Sequence, residues 1–172
     1  MDTSLTITLS KEIGKRTILK CTRKDGSSTF AKLYPNLEIH DIAHYVVEQH
    51  LGFRNAFYGL LAKGYTIEDF QLPKAERPSA LHPKNLHPEA LITEHLVNLI
   101  QTHFGSPYPT NKIMTSFQHI LEENGLPFPK KFNEDLWQLI QGKVVHLMEE
   151  WHRLPNKKVL TMKFFIGNND LS

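Results

Sequence analysis

Val159-Leu160-Thr161-Met162-Lys163-Phe164-Phe165-Ile166 places Leu160, Met162, Phe164 and Ile166 on one side of an extended chain and polar or aromatic residues on the other. β-branched and aromatic residues at this period fit a pleated, half-buried surface, and Leu154-Pro155-Asn156 breaks the preceding segment. A strand alone at the end of a chain leaves its backbone groups unpaired and must find an edge to join. The candidate edge lies at the other terminus. Leu5, Ile7 and Leu9 alternate with Thr6, Thr8 and Ser10, and Thr17 to Thr22 repeats the pattern. Lys24-Asp25-Gly26 then supplies a tight hairpin, and Thr29 to Leu33 runs extended again. The spacing predicts a β-meander over residues 1–33 and a closing strand over 158–167 that brings the chain ends together.

Residues 38–153 read as helical. From Ile39 to Leu51, the apolar Ile39, Ile42, Ala43, Val46 and Val47 recur at helical spacing and form one buried stripe. Ala56 to Lys63 is a short helix stopped by Gly64, and Thr66 to Phe70 adds a turn. Pro73, Pro78, Pro83 and Pro88 make 71–88 an irregular crossing, since proline lacks the amide that a helix or central strand requires. Pro88 to Phe104, Thr110 to Glu123 and Asn133 to His152 complete about five helices, the last capped by Asn133 with Glu134 and Asp135 at its positive end. The expected class is α+β: an antiparallel sheet of about four strands drawn from both termini, packed against a mainly helical middle, in a single domain over 1–172.

Composition agrees with a folded domain. Hydrophobic residues make up 40% of the chain, enough for one core, and 22% are charged. A net charge of +2 is too small a field to argue for nucleic acid, and no apolar run approaches the ~20 residues a membrane-spanning helix needs. The expected partner is therefore a small molecule or a protein. With Cys21 the only cysteine, no intrachain disulfide can form, and Met1-Asp2-Thr3 lacks a signal-peptide pattern, so the expected location is the cytoplasm. Cys21 has no evident activating base and reads as packing. No phosphate-binding glycine loop or nucleophile-elbow serine is present.

The chemistry concentrates in His40-Asp41-Ile42-Ala43-His44-Tyr45-Val46-Val47-Glu48. Residues four apart stack on one helix face, so His40, His44 and Glu48 form a file of two imidazoles and a carboxylate. A ~100° step per residue sets that file beside the apolar stripe, with Asp41 further toward solvent. Zinc takes imidazole nitrogen and carboxylate oxygen, with three protein ligands and one open position in catalytic sites. His40, His44 and Glu48 are the expected ligands of zinc or another divalent metal. The spacing parallels the His-Glu-x-x-His helix of metalloproteases, whose acidic residue is a general base; Asp41 occupies that position, one methylene shorter.

This helix, with Leu51-Gly52-Phe53 and Phe57 to Gly64 after it, resembles a family of uncharacterised bacterial proteins carrying an HDxxHxxVE helix. The likeness extends to the Arg23-to-Ser27 hairpin and the Trp151-to-Lys163 ending. It implies an outline of the fold and carries no activity. A weaker likeness is to a ubiquinone-biosynthesis family with His-Asp-x-x-His, eleven residues, then Glu. Ala56 stands at that last position, so the activity is not carried over.

The best-supported reading is a divalent-metal-binding protein of the zinc type, with hydrolysis as the chemistry such a helix serves. Among other candidate ligands the Glu94-His95 pair stands first, and Asp69 is a helix-terminal acid close to the same region. The alternative is a non-catalytic binding protein in which the helix is structural. Its partner, a protein or a nucleic acid, would meet either the proline-rich crossing or the basic sheet of Lys11, Lys15, Arg16, Lys20, Arg23, Lys24 and Lys32, with Phe30 for stacking.

Overall fold

The computed structural model describes residues 3–106 and 109–166. Strands β1 (Thr3–Ser10), β2 (Ile18–Arg23), β3 (Ser28–Lys32) and β4 (Val159–Ile166) form one antiparallel sheet in the order β3-β2-β1-β4. The closing strand pairs with β1 as its isolation required; residue 167, its expected last member, lies outside the described residues. Ile7 faces Cys21 on β2 and Met162 on β4, which puts Leu5, Ile7, Leu9, Leu19, Cys21, Leu160, Met162 and Phe164 on one buried face.

Backbone bonds fasten the two chain ends. Lys11 N donates to Lys158 O and Lys157 N to Lys11 O, at 3.0 and 2.8 Å. The Lys11 ammonium lies 5.2 Å from the Trp151 ring centre and donates to the carbonyls of Trp151 and His152. A cation is favoured there because those carbonyls end a helix. The free edge of β4 is covered by a side chain: the Gln49 amide donates to Phe165 O and accepts from Phe165 N, as a neighbouring strand would.

Helices α1 (Glu38–Leu51), α2 (Phe57–Ala62), α3 (Ile67–Gln71), α4 (Pro88–His103), α5 (Thr110–Glu123) and α6 (Glu134–Arg153) fill the middle. The extra member beyond five is α3, where the Thr66 hydroxyl and Asp69 carboxylate make a reciprocal capping box. Asp69 is thus the helix-terminal acid it was expected to be. Asn133 Oδ1 accepts from Leu136 N at 2.9 Å, capping α6. The crossing between α3 and α4 contains three 3-10 turns, Lys74–Glu76, Ser79–Leu81 and Pro83–Asn85, with buried Leu81 as its anchor. No helix among the described residues is long and apolar enough to cross a membrane.

One expectation is corrected. Asp41 does not lean toward solvent; Asp41, His44 and Glu48 are all buried, at 7%, 2% and 0% exposure. An edge position assumes a helix lying on the surface of a core. α1 instead has α2, α4, α6 and β4 packed around it, so its polar file is enclosed together with its apolar stripe.

Candidate metal centre

The start of α1 is fixed to the sheet by the Thr17 hydroxyl, which donates to Glu38 Oε1 at 2.5 Å. At its far end Gly52, with φ +70°, adopts the left-handed conformation that closes a helix, and the chain turns back into α2. That return places the Gly59 amide 3.1 Å from Glu48 Oε2. Glycine is required there: a Cβ on Gly59 would lie 2.5 Å from the backbone of Arg54. The other oxygen, Oε1, accepts from His44 Nδ1 at 3.2 Å. Glu48 therefore fixes the His44 ring and leaves its Nε2 pointing away.

What Nε2 meets is Glu94 of α4, at 3.4 Å. Glu89 Oε2 accepts from the amides of Arg54 and Asn55, at 2.8 and 2.6 Å, and so pins the first turn of α4 to the loop after α1. Five residues further, about 7.5 Å along the helix axis, Glu94 reaches the histidine. His40 is half-buried, its ring centre 4.6 Å from that of His44 and its Nδ1 3.9 Å from Asp41 Oδ1. One ligating atom each from His40, His44 and Glu94 lie within 4.8 Å of one another.

These atoms could hold a metal ion. Two ligands about 2.0–2.1 Å from one tetrahedral ion are roughly 3.3–3.4 Å apart, which is the separation of His44 Nε2 and Glu94 Oε1. The Glu94 side chain is 54% exposed, so turning it can close the remaining distance to His40. An imidazole whose second nitrogen is held by a carboxylate is the usual support of a metal-ligating histidine. Among the expected site residues, then, the structure brings His40 and His44 together with Glu94, sets Glu48 behind His44, and leaves Asp41 beside His40.

The electrostatics follow from burial and these contacts. Burial disfavours the His44 imidazolium, but the hydrogen bonds to Glu48 and Glu94 outweigh it and its pKa is pushed up to about 10. Glu48 is pushed up by burial, against the pull of His44 and the Gly59 and Tyr58 amides. Glu94 is held below the usual carboxylate range, chiefly by its hydrogen bond to His44.

His40, Asp41, His44 and Glu94 share one cleft of about 330 Å³ whose remaining walls are mostly apolar, among them Leu33, Leu37, Phe57, Ile67 and Phe70. Several other histidines have local structural employment. His50 Nδ1 bonds Val46 O, His82 and His87 cap the 3-10 turn at Pro83 and helix α4, and His119 and His146 pair with glutamates one helical turn on. In the basic sheet, Arg23 donates to the carbonyls of Leu61 and Tyr65 and to Ser27, while Lys15 pairs with Glu12. Glu94 is the ligand candidate that helical spacing could not select, because it lies on a different helix; its signal was a carboxylate beside the buried stripe of α4.

No protein-family model, curated protein or solved structure matches the chain.

Proposed function

We propose that the protein binds a divalent metal of the zinc type through His40, His44 and Glu94, with Glu48 orienting His44, and uses it for hydrolysis in the adjoining cleft. The observation that carries this is the opposed pair of contacts on His44: a buried carboxylate holds Nδ1 while Nε2 meets Glu94, and a ligating atom of His40 lies within 4.8 Å of the group. Three protein ligands leave a position open to the cleft, and an ion there would act as a Lewis acid and lower the pKa of water. Asp41 lines the same cleft beside His40 and would take a proton from water entering there.

Elemental analysis of purified, untagged protein tests the reading. Near-stoichiometric zinc or another transition metal is expected, lost in a folded His40→Ala/His44→Ala variant and in Glu94→Gln. In Glu48→Gln affinity should fall by roughly 10–100-fold, the range for removing a supporting carboxylate. Loss on Glu48→Gln with retention in Glu94→Gln would instead make Glu48 the third ligand. Wild type that is metal-free and cannot be loaded would overturn the proposal.

A second reading has its own support. The raised pKa of His44 describes an imidazolium held between Glu48 and Glu94, with a proton where the ion would sit. Under it the file is a buried structural charge cluster, and the loading experiment comes out negative.

A further inference from the structure

The chemistry of the cleft narrows what can occupy it. Its walls come from α1, α2, α3 and the segment around β3, and they are dominated by aliphatic and aromatic side chains. Phe57 stacks edge-on to His44 at 5.8 Å between ring centres and to Phe70 at 4.9 Å, so apolar surface runs continuously from the ligating imidazole. Apart from the residues at the candidate metal centre, the polar groups of the lining are those of Lys32, Gln71 and the exposed Tyr34. A sugar, nucleotide or multiply charged ligand would leave most of its polar groups without partners against such walls, which is costly.

Charge and size complete the argument. With a divalent ion bound and His44 neutral as its ligand, the ion and Lys32 balance Asp41, Glu94 and, behind His44, Glu48, so the site has no surplus charge for a multiply charged anion, and the ion and Lys32 are the groups left to meet a single oxyanion. Exposed Lys32 makes no ion pair with any described residue. The cleft volume of about 330 Å³ is at the small end of ligand pockets, which run about 300–1,000 Å³, and suits a small ligand.

We infer that the cleft takes a small monocarboxylic acid with an apolar body, its single oxyanion directed to the ion and its hydrocarbon part laid against Phe57 and Phe70. The inference rests on the metal reading above. It adds a ligand class: an apolar carboxylate as product or inhibitor, and its ester or amide as substrate.

Titration calorimetry of the zinc-loaded full chain with straight-chain alkanoates, from acetate to decanoate, tests it. Affinity should rise about fourfold per methylene, the factor for ~0.8 kcal/mol per buried CH₂, and level off once the chain fills the cleft. Lys32→Glu, at an exposed position, should weaken octanoate about three- to fivefold, the scale of a screened surface charge, with zinc content unchanged. The metal-free His40→Ala/His44→Ala variant should lose the series. A flat series on zinc-containing protein overturns this inference and leaves the metal reading standing, as does an equal series on the metal-free variant. Protein that takes up no zinc overturns both.

Discussion

β1 and α1 run through the same core and solve burial in opposite ways. The inward side chains of β1 are Leu5, Ile7 and Leu9, none more than 1% exposed, and they ask nothing of their neighbours but shape. α1 buries Ile42, Ala43, Val46 and Val47 on the same terms but also encloses Asp41, His44 and Glu48. Each buried charge must find partners or destabilise the fold. His44 has Glu48 and Glu94, Glu48 has His44 and Gly59, and these come from three different helices, α1, α2 and α4. Apolar burial would serve stability as well, so the file costs the fold a set of partners that β1 never needs.

The largest expected effect breaks the file. Glu48→Ala strands His44 beside an empty site and should cost about 3–5 kcal/mol, the cost of removing one partner of a buried pair. Ile7→Ala in β1 should cost a comparable ~2–5 kcal/mol through transfer and cavity terms alone. Urea unfolding of metal-free protein measures both. The difference lies in rescue: His44→Leu/Glu48→Leu removes both partners and should recover most of the Glu48→Ala loss while abolishing metal uptake. A double variant as unstable as Glu48→Ala would mean the file holds the fold together, and the contrast with β1 would disappear.

A smaller effect is expected at Gly59. The Cβ of Gly59→Ala meets Arg54 backbone at 2.5 Å, so α2 must shift, at about 1–3 kcal/mol for overpacking of this kind. Because the same residue's amide holds Glu48, zinc affinity should fall with stability. A variant that loses stability at full affinity would separate Gly59 from the site.

The contrast between β1 and α1 also marks what sequence can reveal. The sheet was readable from both termini because its period of two is local, and the closing strand could be assigned to the meander because an unpaired edge has few places to go. His40, Asp41, His44 and Glu48 were visible as a file for the same reason: helical spacing is local. Two things were less legible: the depth of the file, and Glu94, which stood first among the other candidate ligands but which spacing could not tie to His44. The depth of the file depends on α2, α4 and α6 packing around α1, and solvent exposure of Asp41 inferred from helical angle alone was wrong. Glu94 lies 50 residues beyond His44 and is brought in by the Glu89 contacts with Arg54 and Asn55, which no periodicity records.

The smallest effect is expected where the two regions touch. Cys21 sits on β2 opposite Ile7, fully buried, and its thiol is pushed up to about 12, first by burial, then by the negative charge of Asp41 and Glu48, against the pull of Arg23. An ordinary cysteine titrates near ~8.5. A thiol whose folded pKa lies above its unfolded one favours the fold while protonated, so this contribution is whole below about pH 8.5 and is lost as pH rises toward 12. At pH 8 iodoacetamide should leave native Cys21 untouched and modify it only as fast as the whole domain opens. Labelling that outruns unfolding would show the sheet parting locally from α1. β1 and α1 would then belong to separately opening units, and their opposite modes of burial could no longer be compared within one core.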